Sequence, residues 1–136
     1  MKPALVIAVG LSALSSGAFA QPYPVCNGHP AIVRISKLSP TGTLAGLAKA
    51  VADHQAWYNS HGSPATRVLL ASVTPSGAGV AEVVTLNIDP ALPTERAPVD
   101  DAWKAYVKEY SDNSIIEWTG LTCLTDDEAK AKAASQ

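Results

Sequence analysis

The residues best suited to chemistry lie close together in one short segment, His54-Gln55-Ala56-Trp57-Tyr58-Asn59-Ser60-His61-Gly62. His54 and His61 are separated by about two helical turns, and Tyr58 lies between them on nearly the same side. A neutral imidazole beside a phenol can accept or donate a proton, because the pKa of an unperturbed histidine is about 6.5. We therefore predict His54 and Tyr58 as candidate catalytic groups.

Five further residues are candidates for ligand binding. Trp57 and Trp103 could form an aromatic wall for a planar organic ligand, and His61 could add a polar contact beside them. Arg34 lies on a predicted strand and could meet an anionic ligand, as could Arg67. Either arginine could equally point outward from an edge or lie across a dimer interface.

A purely structural interpretation of the two histidines competes with catalysis. His54 could be bonded to a loop carbonyl, and His61 could be a cation at the end of a helix, where it interacts favourably with the helix dipole. A histidine pair at this spacing is also poorly placed to chelate a metal, and no set of carboxylates and histidines accompanies it. We expect neither a metal nor a cofactor.

Other catalytic signatures are absent from the sequence. There is no Gly-x-Ser-x-Gly motif for a nucleophilic serine. Cys26 and His29 lie close together but offer only two potential metal ligands. The two cysteines, Cys26 and Cys123, are better explained as a disulfide if the chain is exported.

The first twenty residues are typical of a secretory signal. Lys2 precedes an apolar run over 4–14, and Ala18-Phe19-Ala20 is a cleavage site of the Ala-x-Ala kind. The run is too short to span a bilayer, so we predict cleavage after Ala20, a periplasmic or secreted product, and no membrane partner after cleavage. Without Lys2 the formal charge is 9 − 12 = −3. A chain with no basic stripe is not expected to bind nucleic acid.

The pattern of apolar residues predicts one domain over 31–124, between an irregular lead-in over 21–30 and a C-terminal tail over 125–136. Strands are predicted at 31–38, 66–73, 80–88 and 114–124, and helices at 43–62 and from Asp100 onward. Thr41 or Thr43 could cap the first helix, and Asp100 or a neighbour the second. The tail has capping-box spacing but no large apolar side chain, so we expect a frayed end.

Two features between these elements are open to interpretation. The loop 89–98 contains three prolines, so it could form a rim over a cleft, although a plain surface crossing is the simpler expectation. Gly120 could produce a bulge or bend in the last strand.

The element order is that of a ferredoxin-like βαββαβ fold, an α+β arrangement of a four-stranded antiparallel sheet with two helices on one face. Right-handed crossovers would place the first and third strands in the middle, parallel to each other, with the second and fourth at the edges. The end of the fourth strand would then lie beside the start of the first. This arrangement independently predicts a Cys26–Cys123 disulfide.

The other face of the predicted sheet has no helix to cover it, although the strands carry apolar residues on both faces. Such a face is commonly buried by a second copy, so we expect a homodimer. In element order, and in a first helix that ends in aromatic and histidine residues, the chain resembles the dimeric α+β barrel superfamily. That superfamily includes antibiotic-biosynthesis-type monooxygenases and haem-degrading enzymes. The resemblance covers about residues 31–124 and implies a pocket between helices and sheet.

Together these expectations describe an exported small-domain protein that binds a small apolar or aromatic ligand between its helices and its sheet. Its enzymatic version would be a cofactor-independent, oxygenase-like activity. The alternative is a non-catalytic structural or protein-interaction module whose aromatic residues fill the core.

Overall fold

A computed structural model of the chain describes residues 26–77 and 79–134. The predicted signal peptide, its cleavage site after Ala20 and the first half of the lead-in lie outside the described residues. Within them the elements are β1 (His29–Leu38), α1 (Leu44–Ser60), β2 (Arg67–Ser76), β3 (Gly79–Ile88), α2 (Asp101–Asn113), β4 (Ser114–Leu124) and α3 (Asp126–Ala134).

The strands form one antiparallel sheet in the order β2-β3-β1-β4. The first and third strands are central, as predicted, but the prediction that they run parallel is wrong. The crossover through α1 makes β2 run in the same direction as β1, and the hairpin that follows reverses β3. Because β3 then lies beside β1, this pair is antiparallel, with Ala31 opposite Ile88 and Arg34 opposite Thr85.

The helix α1 begins and ends where local chemistry favours it. The Thr43 side chain accepts a hydrogen bond from the Gly46 amide at 2.9 Å, which caps the first turn. Gly46 also passes so close to the Asn113 side chain that a Cβ atom there would collide with it. Beyond the last turn, Gly62 has a φ of 81°, a left-handed conformation that glycine adopts without strain.

The helices α1 and α2 pack together over one face of the sheet. A buried cluster joins Val51, Trp57 and Tyr58 of α1 to Val68 of β2 and Tyr106 of α2. The first helix packs on β2, whereas the second makes most of its contacts with the first helix and few with β4. Because α2 packs mainly on α1, a gap remains between α2 and the strands β1 and β4.

The opposite face of the sheet is partly covered by α3, so the expectation of a frayed tail and a wholly bare face is wrong. The Glu128 carboxylate accepts a hydrogen bond from the Thr125 amide at 2.8 Å, completing a capping box. Ala129 is fully buried, and its carbonyl accepts a bond from Arg67 at 3.4 Å. The helix α3 can pack on the sheet without a large apolar side chain, because the short side chain of Ala129 lets the helix backbone approach the sheet closely. Beneath this face lies a second apolar cluster, which consists of Ala31, Leu69, Leu86 and Ile88.

The irregularity in β4 lies at Glu117 rather than at the predicted Gly120. Ile35 pairs with Trp118 and Ser36 with Ile116, so Glu117 is the extra residue of the longer strand. Gly120 keeps a regular pairing with Val33. The Trp118 ring lies directly over Gly120, where a Cβ atom would collide with it.

A disulfide joins Cys26 to Cys123, as predicted, with 5.5 Å between their Cα atoms. The pairing of His29 with Leu124 brings the start of β1 beside the end of β4. The bridge closes a loop with a sequence separation of 97. In the chain-entropy model such a loop contributes about 4 to 5 kcal/mol, by restricting the unfolded chain.

Candidate functional site

A cavity of about 560 Å³ lies between the sheet and the two helices α1 and α2. Its floor is the central strands, its roof is α2, and Pro90–Pro93 form part of its rim. The loop 89–98 is therefore a wall of the cavity and not a plain surface crossing. A cavity of this size can enclose most of a small organic molecule.

The cavity exists because the facing side chains do not fill the gap. Ile32, Arg34 and Ser36 are the β1 residues that line it, and of these only Ile32 is an apolar side chain that could pack as core. On the opposite wall, Trp103 and Tyr106 of α2 pack against each other and against α1. The aromatic residues therefore bind the helices together and leave space above β1.

His54 lies at the centre of this aromatic wall. Its imidazole stacks on the Tyr106 ring at 4.4 Å between centroids and on the Tyr58 ring at 5.1 Å. Trp103 and Tyr110 meet it edge-on at 6.0 and 5.8 Å. Burial first, and the Arg34 guanidinium second, lower the pKa of His54 to about 4. The imidazole is therefore neutral at neutral pH and can accept a proton.

Three residues that line the cavity carry buried polar atoms without a hydrogen-bond partner among the described residues. They are His54 Nε2, Asn87 Oδ1 and the Tyr106 hydroxyl. All three side chains are at least nine-tenths buried. Leaving such an atom unpaired costs about 1 to 3 kcal/mol, so the three mark a part of the structure where packing within the protein does not satisfy the polar groups.

The other His54 nitrogen has a partner. Nδ1 lies 3.4 Å from the Tyr110 hydroxyl, a long contact that orients the ring. Burial raises the pKa of Tyr110 and that of Tyr106, so both phenols stay protonated. If the Tyr110 hydroxyl donates to Nδ1, the hydrogen of the neutral imidazole is on Nε2, and His54 then presents an unused donor.

Two predicted ligand contacts, Trp57 and His61, lie outside the cavity lining. Their rings stack on each other at 4.4 Å, and both bond Asp100. Trp57 Nε1 donates to one carboxylate oxygen at 2.9 Å, and His61 Nε2 contacts the other at 2.9 Å. His61 Nδ1 also lies 2.8 Å from the Trp57 carbonyl. This network joins the end of α1 to the start of α2.

Asp100 is the centre of that network and was expected only as a cap. Its carboxylate accepts a hydrogen bond from the Trp103 amide at 2.7 Å. That bond first, and then those from Trp57 and His61, hold the pKa of Asp100 below its usual range. The same carboxylate thus begins α2 and fixes Trp103, which does line the cavity.

Of the predicted site residues, the cavity brings together His54, Tyr58, Trp103 and Arg34. Arg67 lies on the other face of the sheet, 3.9 Å from the Asp89 carboxylate. The remaining polar and aromatic lining was not singled out as a site from the sequence. It includes Ser36, Thr85, Arg96, Tyr106, Tyr110 and Ser114.

The sequence did contain a pattern that could have identified part of this missed lining. Tyr106 and Tyr110 belong to the apolar repeat of α2, which placed them on the buried face without separating core from cavity. Arg96 had no such signal, because the proline-rich loop has no period from which a direction could be inferred.

No group of histidine, cysteine and carboxylate side chains suited to a metal ion is found in the described part of the chain. Over the same residues, every helix is too short or too polar to cross a membrane. Comparison with protein-family models, curated proteins and solved structures finds no match to this chain.

Proposed function

We propose that this protein binds a small, largely apolar or aromatic molecule in the cavity between α1, α2 and the sheet. The observation that carries the proposal is the set of three unpaired buried polar atoms on residues that line one cavity. A well-packed core would leave neither the volume nor the unpaired groups. Aromatic rings and a few placed polar atoms are the usual composition of such a site.

A thermal-shift screen with planar organic compounds tests this proposal. A ligand of this cavity raises the unfolding temperature of the wild-type protein, and His54→Ala abolishes the shift while the circular dichroism spectrum is retained. His61→Ala is the matched control, because it removes the histidine that follows the last residue of α1 and lies outside the cavity lining. If no compound shifts the wild type and His54→Ala merely lowers stability, the protein is a non-catalytic structural or interaction module.

The enzymatic version of this function is a cofactor-independent, oxygenase-like activity. Its support is the neutral His54. In the tautomer whose Nδ1 donates to the Tyr110 hydroxyl, Nε2 has a free lone pair and can take a proton from a bound organic substrate, which makes the substrate more reactive toward oxygen. Tyr58, stacked on His54, is the second candidate group. Oxygen consumption with each compound that binds is the test, with His54→Phe as the variant that keeps the ring and removes the base.

The finer classification of the fold and its compartment belongs with this proposal. Central first and third strands, with α1 and α2 on one face, support a ferredoxin-like fold of the dimeric α+β barrel kind. The Cys26–Cys123 bridge supports export, since disulfides persist in oxidising compartments. Mass analysis of the exported protein should find a chain that begins at Gln21.

We also propose a homodimer, formed through the part of the second sheet face that α3 leaves uncovered. Ile115 and Trp118 lie there with 44% and 51% of their surface exposed. Both belong to β4, the edge strand, so a twofold axis beside it would bury the patch of each copy against the other. Light scattering should give twice the chain mass for wild type, and the chain mass for Trp118→Glu.

A further inference from the structure

The charges around the cavity differ in sign from the charge of the protein. Two arginines line it, Arg34 from β1 and Arg96 from the loop 89–98, whereas no lining residue of the described chain is Asp or Glu. The chain as a whole has a formal charge of −2. A positive cavity in a mildly acidic protein attracts an anion and concentrates it there.

Neither guanidinium has a carboxylate partner among the described residues. Basic side chains outside the cavity do pair: Arg67 lies near Asp89, and Lys49 bonds Asp53 at 2.6 Å. An arginine stays protonated whatever its surroundings, so Arg34 carries its charge into a partly enclosed space. Both arginines are only half-buried, so water still solvates part of each charge, and a ligand that supplies the opposite charge would offset the desolvation that remains.

The positions of the two arginines relative to the aromatic residues define the rest of the ligand. The Arg96 guanidinium lies over the Trp103 ring, 4.4 Å from its centroid, which leaves the N–H groups at its edge free to donate. Arg34 of β1 lines the same cavity as His54 of α1 and Tyr110 of α2, so its positive charge lies across the cavity from the aromatic wall. Apolar rings and an anion-binding fork thus share one cavity.

We infer that the ligand is a planar aromatic carboxylate, whose acid group is bonded by Arg34, with Arg96 at the rim, and whose ring lies against the wall formed by His54, Trp103 and Tyr106. A carboxylate matches the guanidinium fork with two parallel hydrogen bonds. This inference rests on the proposed function and specifies the chemical class of the ligand.

Calorimetric titration with naphthoate and with its neutral isostere naphthamide tests the inference on the full exported protein. Naphthoate should bind wild type at least about tenfold more tightly than naphthamide, because only the carboxylate adds an opposite charge and accepts two parallel hydrogen bonds from one guanidinium. This comparison needs no variant, so it does not depend on whether a substituted protein folds.

Variants then locate the effect. Arg34→Met keeps most of the side-chain volume. It should reduce the ratio of the affinities for naphthoate and naphthamide to about one and leave the affinity for naphthamide unchanged. Arg34→Lys should restore only part of it, since an ammonium lacks the planar fork. Arg67→Met, on the other face of the sheet, is the matched control and should keep the full preference.

The outcomes separate the inference from the proposal beneath it. If naphthamide binds wild type as tightly as naphthoate, or if the preference survives Arg34→Met, the anionic ligand is ruled out while the cavity remains a binding site. If neither compound nor any other planar probe binds, the proposed function fails, and the inference fails with it.

Discussion

His54 and Tyr106 lie face to face, with 4.4 Å between ring centroids and an angle of 15° between their planes. Each has a buried polar atom that no described residue bonds. The pair joins α1 to α2 at the point where α2 stands away from the sheet. One contact therefore contributes to the packing of the helices and to the wall of the cavity.

The first prediction concerns pH. Because the pKa of His54 is about 4 in the folded chain and 6.5 in the unfolded one, acid protonates the unfolded state first. The free energy of unfolding should therefore fall between these two pH values, by roughly 3 kcal/mol from this group. The free energy of unfolding of the His54→Phe variant should fall less over the same pH range, as measured by urea unfolding at several pH values. Equal pH slopes in the two proteins would contradict the assignment.

The second prediction separates function from stability at Tyr106. Tyr106→Phe removes a hydroxyl that has no described partner, so the free protein should be unchanged or up to about 1 kcal/mol more stable. If that hydroxyl bonds a ligand, the same variant should bind the ligand more weakly. Urea unfolding and calorimetry on one preparation measure both. A loss of stability above about 1 kcal/mol would mean that the hydroxyl is bonded within the protein.

The third prediction concerns Asp100. Asp100→Ala removes the cap of α2 and leaves the Trp57 N–H without its acceptor, so it should lower the midpoint of urea unfolding. Asp100→Asn keeps an acceptor oxygen for the cap and should lower the midpoint less. Ligand affinity measured below the unfolding transition should change little in Asp100→Asn, because Trp57 and His61 lie outside the cavity lining. A large loss of affinity in Asp100→Asn would indicate that Trp57 and His61 contribute to ligand binding.

The fourth prediction concerns the charge of Arg34. Arg34→Met should raise the pKa of His54 above its wild-type value, because the guanidinium is the second cause of the lowered pKa. Burial remains, so the pKa should stay below the ordinary histidine value. Titration of the His54 ring by NMR measures this. An unchanged pKa would mean that Arg34 does not face His54.

The fifth prediction concerns the disulfide. Replacing Cys26 and Cys123 together by serine should lower the free energy of unfolding by about 4 kcal/mol, within the usual range of 2 to 5. Trp118→Phe, on the same strand, controls for a general effect of altering β4. A loss below about 1 kcal/mol would show that the bridge does little to restrict the unfolded chain.

Local patterns predicted much of the fold because the physics behind them is local. Thr43 and Asp100 cap their helices as expected, since a side-chain acceptor three residues before an amide needs no distant partner. The predicted direction of β3 relative to β1 was wrong, because this direction depends on the hairpin and the crossover together. The expectation of a frayed tail was wrong for a related reason. Ala129 is buried because its helix packs against the sheet, and this contact has no signature in the sequence of the tail.

The site was predictable only in part. His54 and Tyr58 were found because helical periodicity places them on one face. That same periodicity could not show that Trp57 and His61 bond Asp100, the N-cap of the next helix. Nor could it show that Arg34 faces a gap, since the gap depends on how far α2 stands from β1. Tertiary distances of this kind have no signature in a single segment.

The most direct test of the binding cavity is an NMR spectrum of the histidine side chains with and without naphthoate. The chain has three histidines, and only His54 lines the cavity. The account predicts that the ring signals of His54 shift on titration while those of His29 and His61 stay in place. Signals of His54 that do not move at saturating naphthoate, or that move no more than the other two, would contradict it.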